Sequence, residues 1–160
     1  MNNQFFYHTA LVTHIIGISL MAGTTLISFI SLRHFWQEYA LDKARAMLVI
    51  RTVSKFQMLN AIGIILLIVS GITMMGITHG VFGEQLWFRI KFALVLTVIV
   101  NGFGIGRRQG GKLRKLLMAP TPAPNTETTL LKIKNNMRLF FTVQLALFLV
   151  IFTLSVFKFN

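Results

Sequence analysis

The 160-residue chain has no cysteine, only three prolines and only four acidic residues. Without cysteine there is no disulfide, no thiolate metal site, no iron–sulfur cluster and no CxxCH haem attachment. The scarcity of acid leaves 16 Lys and Arg almost uncompensated, a formal net charge of +12. Such a balance suits nucleic acid or an anionic surface, and the positions of the charges decide between the two. Acidic residues are missing altogether from four long apolar stretches, about 5–32, 56–77, 87–106 and 139–157.

Those stretches are the main positive signal. Crossing the ~30 Å hydrocarbon core of a bilayer takes about 20 apolar residues. In that medium each backbone N–H and C=O must be paired within its own segment, so the stretches are expected to be helices. The connecting residues are too few to give four such helices a polar shell. The sequence therefore predicts an all-α, polytopic integral membrane protein: one domain over 1–160, with four transmembrane helices in an antiparallel bundle. The first stretch is longer than a secretory h-region, and no basic residue precedes it, so it reads as a retained helix.

Lys and Arg gather between spans, which argues for loop retention on one side of a membrane and against nucleic acid. The connection after the first span carries Arg33, Lys43, Arg45, Arg51 and Lys55. The connection after the third carries Arg107, Arg108, Lys112, Arg114, Lys115, Lys132, Lys134 and Arg138. Only Arg89, Lys91 and Lys158 fall on the other side. The positive-inside rule then places both basic connections in the cytoplasm and both termini outside a bacterial-type cytoplasmic (inner) membrane. The connection 107–129 is expected to be a basic and then Pro/Thr-rich cytoplasmic loop. Its first part has apolar Leu113, Leu116 and Leu117 and is suited to lying on the membrane surface, and 119–129 reads as a flexible or extended link.

With this orientation the buried polar residues fall at two depths. His14 lies two to three turns below the outer surface. Trp87, Arg89 and Lys91 occupy the outer turns of the third span, with His79 and Glu84 in the connection before it. Asn60, Asn101 and Gln144 form an inner layer, where amides bridge helices at about 0.6–2 kcal/mol each without chemistry. Gly17, Gly23, Gly63, Ser70, Gly71, Gly102 and Gly106 suit close helix approach. The run Gly102-Phe103-Gly104-Ile105-Gly106 follows no strand, which excludes a dinucleotide-binding reading.

His14 and Lys91 are the functional candidates, because an ionisable group at the bilayer centre costs at least about 2.5–3.5 kcal/mol. Lys91 is near enough to the outer interface to snorkel. A neutral imidazole can bind haem iron or a membrane metal through one ring nitrogen, or simply hydrogen-bond a neighbouring helix. His8 stands about 120° around the helix from His14 and cannot share its site. His34, beside Arg33 and Trp36, reads as an interfacial residue. His79 is a candidate second ligand from outside.

The residues His14-Ile15-Ile16-Gly17, Ala22-Gly23 and Arg33-His34 in the first helix come with Trp87-Phe88-Arg89-Ile90-Lys91, Asn101-Gly102 and Arg107-Arg108 in the third. This pattern resembles the small membrane proteins that include HemJ-type protoporphyrinogen oxidases and CopD-like copper-resistance domains. The resemblance implies a four-helix bundle with haem b on His14 and a functional lysine at Lys91, the end of a W-x-x-x-K pattern. It makes a membrane oxidoreductase acting on a tetrapyrrole the leading expectation, with Arg89, Trp87 and His79 near the cofactor. A small transporter or channel for anions, alone or as a homo-oligomer, and a non-catalytic subunit of a membrane complex stay open as alternatives.

Overall fold

Helix-forming residues continue well past the apolar stretches, and the helices continue with them. A computed structural model describes residues 3–119 and 125–157, with the Phe82 side chain outside the description. The described residues are helical almost throughout and contain no strand. Helix α1 runs Asn3–Leu41 and α2 runs Lys43–Ile77. After a 3₁₀ turn at Val81–Glu84, α3 spans Leu86–Asn101 and passes through a π-helical turn, Gly102–Gly106, into α4, Arg107–Met118. Helix α5 is Thr126–Val156.

Among the described residues, four helices are long and apolar enough to cross a membrane: Asn3–Leu41, Lys43–Ile77, Leu86–Met118 and Thr126–Val156. They contain 39, 35, 33 and 31 residues. At ~1.5 Å per residue the shortest is about 46 Å long and the longest about 58 Å. Each therefore exceeds the ~30 Å of a hydrocarbon core. The surplus lies at the basic ends. Residues 33–41, 43–55, 107–118 and 126–138 are helical, whereas hydropathy marks them only as connections. The expected loop 107–129 is accordingly helical at both of its ends. Its basic part is α4, its last residues from Thr126 open α5, and 120–124 lie outside the described residues. The break between α1 and α2 is Asp42 alone. Its backbone is extended (φ −149°, ψ 114°), and its carboxylate accepts the Ala44 N–H at 2.7 Å, capping α2.

The helices form two compact units, one up to Arg89 and the other from Ile90 onward. In the first, α1 packs on α2 through small residues. A Cβ built on Gly17 would stand 2.9 Å from Leu67 N and 3.0 Å from Gly63 O, and one on Gly63 would stand 2.9 Å from Gly17 O. Backbone therefore meets backbone here, the close approach that small residues permit between helices in lipid.

In the second unit α5 supplies a continuous stripe. Leu130, Ile133, Met137, Phe140, Gln144 and Ile151 are buried at spacings of three, four and seven, one face of a 3.6-residue helix. Gly106 makes room for the Phe140 ring, whose Cζ would lie 2.7 Å from a Cβ there. The π-turn sets which face α4 presents. One extra residue wound into a helix rotates everything beyond it by roughly 100°. In an unbroken α-helix, the face that buries Val98 would continue through Ile105 and Lys112. With the shift it continues through Gly106 and Leu113, and Leu113 is 2% exposed. The three glycines of the turn tolerate the widened backbone.

Candidate functional site

His14 sits on α1 one turn before the glycine contact, and Ser70 faces it from α2. His14 Nδ1 and Ser70 Oγ are 3.0 Å apart. The Ser70 hydroxyl donates to the Leu66 carbonyl at 2.6 Å, with Leu67 O at 3.2 Å, both within its own helix. A hydroxyl has one proton, and a carbonyl can only accept. The Ser70 oxygen must therefore accept from His14, so Nδ1 carries the proton. In the neutral ring this makes Nε2 the nitrogen with the lone pair. A histidine that ligates a metal is oriented in the same way, by a bond from its other nitrogen. Ser70 is 2% exposed, and His14 is half-buried beside it. The ring also lies against Gly71, where a Cβ would meet Cε1 at 3.7 Å.

The other residues of the first unit form a separate group beyond the end of α2. Thr78 donates its hydroxyl to Met74 O at 2.8 Å, and Gly80 N–H reaches Met75 O at 3.0 Å. His79 takes φ 51°, in the left-handed region that glycine prefers, and its side chain is exposed. The nine residues from Ser70 to His79 correspond to about 13 Å of helix rise. His79 thus lies beyond the end of α2, well along the chain from the serine that meets His14. Arg89 Nε donates to Gly83 O at 2.9 Å and so ties α3 to the 3₁₀ turn. Trp87 is buried, and its indole N–H donates to Gln85 Oε1 at 2.6 Å. Among the described residues no group of three or more His, Asp or Glu is placed to hold a metal ion. His8 is exposed and stacks edge-on to Tyr7, while His34 lies 3.8 Å from Glu38 one turn on.

The second unit holds Lys91, partly buried in the first turns of α3, and an amide clasp further along that helix. Asn101 Nδ2 donates to Gln144 Oε1 at 2.9 Å, and Gln144 Nε2 donates to Val98 O at 3.1 Å. Gln144 is 4% exposed, so both ends of its amide are satisfied in an interior setting. The carbonyl of Val98 has two lone pairs and can accept this bond in addition to a helical one. Asn60, on α2, differs: its Oδ1 is buried and has no hydrogen-bond partner among the described residues.

Ser70 is the site residue that sequence reasoning missed as a partner. It was visible only as a small residue, because the register that brings it to His14 is set by the Gly17–Gly63 contact. The chain matches no family model, no curated protein and no solved structure.

Proposed function

We propose that this chain is a multi-pass protein of a bacterial-type cytoplasmic membrane, its four spans antiparallel in one bundle and both termini outside, and that it binds haem b through Nε2 of His14. The membrane part is supported by how side chains are distributed on α2. Its buried positions are Ala46, Gly63, Leu67 and Ser70, while Met58, Ile65 and Ile72 are 71%, 60% and 69% exposed. A helix that turns small residues inward and large apolar ones outward is suited to a solvent as apolar as its own core. The positive-inside asymmetry of Lys and Arg supports the orientation.

The observation that carries the haem reading is the Ser70 hydrogen bond, which holds His14 in the tautomer that a haem ligand needs. His14 would hold the iron, and Arg89, of the same unit, is a cation of the kind that pairs with porphyrin propionates. Bound haem supplies one-electron chemistry, and the protein supplies position and surroundings. The resemblance of His14-Ile15-Ile16-Gly17 and of Trp87 to Lys91 to HemJ-type proteins is what supports an oxidoreductase activity of the protoporphyrinogen oxidase type. The transporter reading has less support, because Asn101 and Gln144 bond to each other and to Val98 instead of lining a polar path.

The test is a visible spectrum of the protein purified in mild detergent after expression with ample haem, oxidised and then reduced with dithionite. A Soret band with sharp reduced α and β bands is expected for wild type and absent from His14→Ala. In Ser70→Ala the imidazole loses its orienting bond, and haem affinity is expected to fall by roughly 10-fold to 100-fold. A colourless wild-type protein, or colour that persists in His14→Ala, sinks the haem reading.

A further inference from the structure

The strongest concentration of charge in the second unit has no part in the amide clasp or in binding haem. Helix α4 contains Arg107, Arg108, Lys112, Arg114 and Lys115 and no acidic residue, and all five cations are exposed. With Leu113 turned inward by the π-turn, about 100° per residue places these five, Gly111 and Met118 on the opposite side of the helix. Two shallow, open clefts lie between the side chains of that side. One, of about 400 Å³, is lined by Phe103, Arg107, Arg108, Gly111, Lys112 and Lys115. The other, of about 440 Å³, shares Gly111 and Lys115 and extends to Met118. Gly111 forms the notch common to both.

The first cleft changes character along its length. It begins at Phe103, 55% exposed at the end of the apolar part of the helix, and ends about 18 Å further on at Lys115. An apolar foot under four cations matches a phospholipid with an acidic headgroup. A soluble phosphate would use only the upper part. The basic end of the first unit makes the contrast: there Glu38 and Asp42 interrupt the cations, and Asp42 lies 3.6 Å from Arg45.

We infer that the cleft from Phe103 to Lys115 binds one acidic phospholipid, with its phosphate on Arg107, Arg108 and Lys112 and an acyl chain along Phe103. The inference rests on the membrane reading and is independent of haem.

Alkaline carbonate extraction of membranes comes first, because protein that washes off overturns the membrane reading and the lipid site together. Full-length protein is then taken into micelles containing phosphatidylcholine and phosphatidylglycerol, and native mass spectrometry counts retained lipid. Wild type is expected to keep one phosphatidylglycerol. Arg107→Gln/Arg108→Gln/Lys112→Gln is expected to bind it roughly 100-fold more weakly, about fivefold per lost charge. Arg107→Lys/Arg108→Lys, which keeps the charge, should retain it and show that the fold is intact. Arg45→Gln/Arg51→Gln/Lys55→Gln removes equal charge from the other unit and should leave retention unchanged. Equal loss in both triple variants would reduce the effect to net charge and overturn the site. Displacement by inorganic pyrophosphate, with no effect of Phe103→Ser, would make it a soluble-phosphate site and overturn the lipid assignment.

Discussion

The two units join helices by opposite means. The first brings backbones together: Gly17 and Gly63 touch through main-chain atoms, and the polar contact beside them is one histidine on one serine. The second packs α5 on the π-turn and α4 through large side chains such as Phe140, and uses glycine once to seat that ring. A backbone contact has no means of adjusting, because peptide atoms cannot take another rotamer, whereas a ring contact can relax. The first arrangement fixes register, and the second fixes volume.

The largest effect should separate these modes. Gly63→Leu would place a branched side chain where even a Cβ lies 2.9 Å from Gly17 O, forcing α1 and α2 apart. A loss of more than about 3 kcal/mol is expected, at or beyond the upper end for overpacking. Thermal unfolding in detergent measures it, and a paired-cysteine crosslink at His14 and Ser70 in the otherwise cysteine-free chain would report the lost register. Gly106→Leu should cost less, because Phe140 can swing aside. Equal costs would abolish the distinction.

Second in size, insertion of one alanine after Arg108, beyond the π-turn, shifts the rest of α4 by one residue and so by roughly 100°. Lys112 then replaces Leu113 toward α5, and a loss of about 2–3 kcal/mol is expected from burying its charge. Lys112→Leu on the insertion background should recover much of that loss. Failure to recover would show that the phase argument is wrong.

The smallest effect concerns the clasp. Gln144→Leu leaves the Asn101 amide without its acceptor and should cost about 1–2 kcal/mol. Asn101→Leu/Gln144→Leu removes donor and acceptor together and should be milder than Gln144→Leu alone. Urea unfolding of both variants in matched micelles tests the order, and a double variant worse than the single would contradict it.

The apolar cores of the helices were legible from hydropathy, because a bilayer demands long unbroken runs. Their ends were not. The segment KARAMLVIRTVSK at 43–55 reads as a polar connection, yet Lys, Arg, Ala, Met and Leu are all good helix formers, and only Asp42 provides a stop and a cap. The same holds for 107–118, where the run of basic residues hides an amphipathic helix. Asn101 and Gln144 stood out as polar residues in apolar helices, and the structure hydrogen-bonds them. Asn60 stood out equally, yet its Oδ1 is buried with no hydrogen-bond partner among the described residues. Sequence gives depth along a helix but not its rotation, and a one-residue π-turn changes rotation without changing composition. The Ser70–His14 bond was invisible for a related reason: it depends on cross-helix register, which two glycines 46 residues apart determine together.

The surplus helix length also decides what a protease would find. Most of the sites where trypsin would cleave after Lys or Arg in the basic segments, from Arg33 to Lys55 and from Arg107 to Arg138, lie within regular helix. Trypsin needs an extended strand in its cleft, so such helices must unwind locally before they are cut. Digestion of the native protein should therefore be slow despite its 16 basic residues, and a survey of exposed tryptic sites would count far fewer than the sequence contains.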